Sequence, residues 1–183
     1  MKAATIGLTT MVAIAAISVI PAHAEEGDAL LVPGMSVATD IPNAHELPDP
    51  NTNYKVVFSV NRDPQSPDEV NPMFNAIATY MNTLGQHGVP PENRNIIAVI
   101  HHRTEGFDIV MSNEAYKERH GRDNPNIEII RKLKQAGVDI RLCGQGLIGR
   151  EIDAKDVNPD IQVDLWAMTT IINLTMDGYV HIG

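Results

Sequence analysis

One cysteine occurs in the 183 residues, Cys143, where the run VDIRLC (138–143) gives way to Gly144-Gln145-Gly146. If a helical turn begins at that junction, unpaired backbone N–H groups and the positive end of a helix dipole face the sulfur. Both favour thiolate over thiol. A thiolate is a nucleophile: it takes up sulfur, hands it on, or attacks another electrophile. The plainer alternative is that a lone cysteine is a small buried hydrophobe.

The histidines are the next chemical groups. His101 and His102 follow the run NIIAVI. Adjacent residues on a strand point to opposite faces, so the pair cannot chelate one metal together. A mixed site of His101, Cys143 and a remote His120 or His181 has no supporting local spacing, so neither a metal nor another cofactor is expected. His101 suits the role of acid–base partner to Cys143, whereas His102 reads as a solvated loop residue. Asn75, in the first turn after the first strand, and Gly144 and Gln145 are ligand-binding candidates on the same rim. Gly144 to Gly149 also spells G-x-G-x-x-G, with Asp164 downstream as a ribose-binding acid would be. That fingerprint belongs to a first βαβ unit and opens a long helix. Here it follows a third strand, and residues 150–159 hold two Asp, an Asn and a Pro. It reads as a turn.

These residues need a scaffold, and the pattern supplies one. YKVVFSV (54–60) is an apolar run fit for a strand covered on both faces. Asn71-Pro72 is an N-cap followed by proline at the first helical position. Phe74, Ile77, Ala78, Met81 and Leu84 then give one apolar face, with Gly85 or Gly88 as the stop. NIIAVIH (95–101) is a second strand, followed by a loop and a short polar helix over about 112–120. Asn124-Pro125 opens a further helix with Ile129, Leu133 and Ala136 inward. VDIRLC, IQVDLW (161–166) and YVHI (179–182) are three more strands. An apolar helix over 167–177 precedes the last of them and is either deeply buried or at a subunit contact. Alternating strands and helices predict an α/β fold, a parallel sheet with helices on both faces, over residues 54–183.

Composition sets limits. With 14 Lys+Arg against 23 Asp+Glu, a net charge of -9 and 4% aromatics, the chain lacks the material for phosphate neutralisation and base stacking. Nucleic acid is excluded as a partner. One cysteine excludes an internal disulfide and any zinc site needing several thiolates from one chain. Lys2, an apolar run to Ile20 and the triplet Ala22-His23-Ala24 read as a secretory signal peptide over residues 1–24. Residues 25–53, with Pro33, Pro42, Pro48 and Pro50, read as an extended surface arm. No second membrane-length stretch follows, so the mature protein is expected in the periplasm of a Gram-negative source, off the membrane. An unpaired cysteine in an exported protein risks mispairing, which argues for use rather than chance.

With these segments in place, the chain resembles the DsrE/DsrF-like family. The likeness rests on Pro48-Asp49-Pro50, YKVVFSV, Val70-Asn71-Pro72 with Asn75, AVIH (98–101) and Glu114-Ala115-Tyr116. It continues through Asp123-Asn124-Pro125-Asn126, Ala136-Gly137-Val138, VDIRLCGQ (138–145), Ala167-Met168-Thr169 and Asp177-Gly178-Tyr179. The resemblance implies a three-layer α/β/α sandwich on an open, mostly parallel five-stranded sheet, assembled as trimers or hexamers. It also implies a sulfur-carrier role for Cys143, exchanging persulfide sulfur with donor and acceptor proteins or small sulfur species. The chain departs from its relatives at His101-His102, where His-Gly is common, and at Arg150-Glu151, where Arg-Gly is common. Two other readings stay open: an oligomeric small-ligand-binding module with an inert cysteine, and a Cys/His thiol enzyme.

Overall fold

The computed structural model describes residues 30–66, 68–102 and 104–183. The expected signal peptide and the first residues of the arm lie outside the described residues. Five strands, β1 (Tyr54–Val60), β2 (Arg94–Ile100), β3 (Asp139–Cys143), β4 (Gln162–Asp164) and β5 (Val180–Ile182), form one sheet in the order β4-β3-β2-β1-β5. Every pairing is parallel. The helices are α1 (Pro72–Gln86), α2 (Asn113–His120), α3 (Ile127–Gln135), α4 (Gly144–Arg150) and α5 (Ala167–Met176). The expected α/β sandwich is the observed one.

Local chemistry explains the elements. The Asn71 side chain caps α1 by accepting from Met73 N, and Pro72 opens the helix. Ser112 caps α2 in the same way, through Ala115 N. α1 and α3 bury Phe74, Ile77, Met81, Ile130 and Leu133 against the β1 and β2 face that carries Val56, Phe58, Ile96 and Ala98. Two expectations need correction. The turn expected after Cys143 is a seven-residue helix, α4, starting at Gly144. The loop expected after His102 contains a 3-10 segment, Glu105–Val110, whose Phe107 and Val110 are fully buried.

From β1 to β4 the chain steps across the sheet in one direction. The β4–β5 connection then returns past three strands to the opposite edge. Parallel crossovers are right-handed, so reversing the direction of travel moves the crossing helix to the other face. α5 accordingly packs on a second, much smaller core of Val57, Ile97, Val99, Cys143, Ala167 and Leu174. Its outer residues are uncovered: Met168, Ile172 and Met176 are exposed, the last at 81%. Among the described residues no helix is long and apolar enough to cross a membrane.

Residues 30–53 form no helix or strand, yet they are tied down. Val32 is fully buried, and the Asn82 side chain of α1 accepts from Val32 N at 2.7 Å while its amide donates to Val32, Met35 and Ser36 carbonyls. Asn82→Ala leaves the buried Val32 N–H unpaired, a cost on the order of 2 kcal/mol. The expected result is a lower urea midpoint, together with faster proteolytic cleavage between residues 30 and 40 than in the wild type.

Candidate functional site

Cys143 ends β3 and is the N-cap residue of α4, in an extended conformation. Its sulfur does not cap its own helix. It accepts instead from the backbone N–H of Ala167, the first residue of α5, at 3.3 Å. That N–H is among the donors a helix start leaves without an intrahelical partner, and it carries the positive end of the ten-residue α5 dipole. The sulfur thus sits where the helices after β3 and β4 leave for opposite faces, the topological switch point at which open parallel sheets bind ligands.

Two glycines permit the close approach. A Cβ at Gly144 would stand 2.9 Å from the Asp164 carbonyl oxygen, and one at Gly146 would stand 2.5 Å from the Phe107 ring. The residues read as a flexible turn are small because α4 is pressed against β4 and Phe107. Asp164, the ribose-acid candidate of the glycine pattern, is engaged within the protein, accepting from Thr170 Oγ1 at 2.7 Å.

A cavity of about 670 Å³ opens over the sulfur, lined by Cys143, His101, His102, Gln145 and Arg150 and walled by Ile148, Trp166, Met168, Ile171 and Ile172. Of the site residues expected from sequence, the structure brings Cys143, His101 and Gln145 together here. Gly144 lies beside them as the first residue of α4. The Gln145 amide donates to Leu165 O at 3.3 Å, pinning the cavity rim to the β4–α5 link. Asn75 is not brought to the cavity. It is exposed on α1, which packs on the opposite face of the sheet.

His101 hydrogen-bonds through Nε2 to Ser59 Oγ at 2.8 Å, and the same oxygen bonds His181 Nε2 at 2.7 Å. His102 is not a solvated loop residue. Its side chain is 7% exposed, with Nδ1 3.0 Å from Asp63 Oδ1 and 2.9 Å from Thr104 Oγ1, and its ring edge-on to Phe107. His102 Nε2 is buried without a hydrogen-bond partner among the described residues. An Nδ1–H aimed at the Asp63 carboxylate leaves Nε2 as the bare nitrogen of a neutral ring. Arg150 is held by the fully buried Asp108, Nε and one terminal nitrogen donating at 2.9 and 3.0 Å. Arg119 and His120 converge on the same carboxylate. Sequence reading missed Ser59, Asp108 and Asp63. The signal for Ser59 was a hydroxyl within the apolar stretch Val56–Val60 of β1.

The sequence profile of the DsrE/DsrF-like family matches residues 55–182, well over half of the chain, and the protein belongs to that family. A solved structure from Methanobacterium thermoautotrophicum, described as the protein of unknown function MTH1491, is similar. It shares 16% identity and a TM-score of 0.49, covering 70% of this chain and 97% of its own. No curated protein sequence gave a match.

Burial lowers the His101 imidazole below its ordinary value, and the neighbouring His102 and His181 push the same way. Burial also lowers His102, outweighing the Asp63 and Asp108 carboxylates that pull it up. Both rings therefore stay neutral at pH 7. As pH falls below about 6.5, the ordinary histidine value, the unfolded chain binds these protons before the folded one does. Stability should drop through that window. The melting temperature is expected to fall between pH 7.5 and 5.5, less steeply in His101→Gln. An identical slope in that variant would contradict the assignment of His101.

Proposed function

We propose that the protein is a sulfur carrier in which the Cys143 thiolate accepts and passes on sulfane sulfur. The observation that carries this reading is the Ala167 N–H directed at Cys143 Sγ beneath an open cavity. A helix-start donor there favours negative charge on Cys143 Sγ, and on a terminal persulfide sulfur built out from it. Family membership supports the same chemistry, since the family is linked to sulfur relay.

The step needs no outside oxidant. The thiolate attacks the sulfane sulfur of a donor, the donor's S–S bond breaks, and the leaving thiolate or sulfite departs with the electron pair. Cys143 is left as a persulfide anion. An acceptor thiolate reverses the chemistry by attacking the outer sulfur and releasing the Cys143 thiolate. The Arg150 guanidinium on the cavity wall suits anionic donors.

The reading extends to assembly and place. The uncovered apolar residues of α5, with Leu165, Trp166 and Val180 beside them, suit burial between copies of the chain, as trimers or hexamers. The signal-like residues 1–24 suit export to the periplasm, with donor and acceptor there.

Exposure to thiosulfate or polysulfide should add about 32 Da, one sulfur, to the intact mass. The addition should disappear in Cys143→Ser. A wild-type protein that takes up no sulfur and resists alkylation when folded would instead make the cavity a binding module with an inert cysteine. Rapid alkylation without sulfur uptake would point to a thiol enzyme. In sedimentation, Leu165→Asp combined with Met176→Asp is expected to reduce an oligomer to monomers, while far-UV circular dichroism stays unchanged.

A further inference from the structure

Ser59 is 1% exposed in β1, which flanks the central strand β2, on the face that carries Val57, Ile97 and Val99. A buried hydroxyl in such a place must be paired, and here both of its partners are imidazoles. The sheet register explains the convergence. Ser59 lies opposite Val99 of β2, so His101 is two residues further along on the same face. His181 of β5 lies opposite Val57 of β1, two residues before Ser59. His101, Ser59 and His181 thus form one diagonal across three strands, from the cavity over Cys143 to the exposed β5 edge.

We propose that this diagonal is a proton path, with Ser59 the positioning residue that couples His101 to His181 at the edge of the sheet. It rests on the reading that the Cys143 thiolate is the reacting group. A serine hydroxyl has one proton to donate. When His101 donates from Nε2 to Ser59 Oγ, the Ser59 proton is directed at His181 Nε2, and His101 Nδ1 is left as the basic nitrogen. A proton released from the Cys143 thiol into the cavity binds Nδ1. The Nε2 proton then moves to Ser59 Oγ, and the Ser59 proton moves to His181, which sheds it to solvent. One proton crosses, and no bond between heavy atoms changes.

The charge environment agrees with transit rather than storage. Burial opposes a lasting charge on His101, and His102 and His181 push the same way. Asp63 faces His102, where it supports that ring and not His101. A proton taken up by His101 is therefore passed on.

The test uses the full chain and two readouts. Long-range ¹H–¹⁵N correlation spectra should show His101 mainly as the Nε2–H tautomer in wild type and as a mixture in Ser59→Ala. The rate of Cys143 alkylation by iodoacetamide at pH 7, with no sulfur donor present, should fall about tenfold in Ser59→Ala. That is a small part of the ~10²–10⁴ that a positioned base contributes. Ser59→Thr, which keeps the hydroxyl, should recover most of the rate. His181→Gln should keep the His101 tautomer yet slow alkylation, which separates coupling to His181 from simple packing. An unchanged tautomer and rate in Ser59→Ala, or a wild-type rate in His181→Gln, would overturn the path. A wild-type protein that shows these effects but takes up no sulfur would overturn the carrier reading and leave the path standing.

Discussion

The direction in which the chain crosses its sheet governs the site. Three successive right-handed steps place α1, α3 and α4 so that they serve one core, and the return from β4 to β5 sends α5 alone across the other. Between the carboxyl ends of β3 and β4 the following helices therefore diverge. A crevice opens there, floored by Cys143 and faced by the first N–H of α5. Had the chain continued outward beyond β4 instead of returning, α5 would have joined the other helices, and nothing would meet the sulfur. A backbone donor fixed by topology survives every substitution of Ala167 except proline, which has no N–H to give.

The same reversal leaves one face of the sheet thin. A single ten-residue helix cannot cover five strands, and its own outer side is apolar. The cavity wall at Trp166, Met168 and Ile172 is continuous with that uncovered surface. Site and apolar face are one feature, since both follow from the shortage of cover on the α5 side. Anything that settles against α5 changes the dielectric around Cys143, and with it the strength of each charge interaction in the cavity.

Much of this was legible from sequence, and the gaps have physical reasons. β1 was readable to the residue because an apolar run stands between polar neighbours, and α1 because Asn71-Pro72 announces a helix start. α4 was not, because three glycines in seven residues argue against a helix. The structure shows two of them answering to a neighbour, the Asp164 carbonyl for Gly144 and the Phe107 ring for Gly146. Cys143 and His101 were legible from residue type at strand ends. Asn75 misled because its place after β1 is on the rim only if α1 lies on the cysteine's face, and handedness puts it on the other. His102 was opaque because its partners, Asp63, Thr104 and Phe107, come from loops without a periodic pattern.

The two adjacent histidines differ in what they bond to, although partial burial lowers the basicity of both. His102 is clamped: its Nδ1 faces a carboxylate and a hydroxyl, and Asp63 in turn accepts from Thr104 Oγ1 at 2.6 Å. Gly106 lies so close to Asp63 and His102 that no side chain fits between them. Such a ring is held by its surroundings, and its Nε2 has no hydrogen-bond partner among the described residues. His101 is bonded instead to a hydroxyl that can both give and accept, with a second imidazole beyond it. Two rings of similar burial and similarly lowered basicity are thus separated by what lies on the far side of their hydrogen bonds. A carboxylate on that side ends the run of hydrogen bonds; a hydroxyl carries it on to the sheet edge.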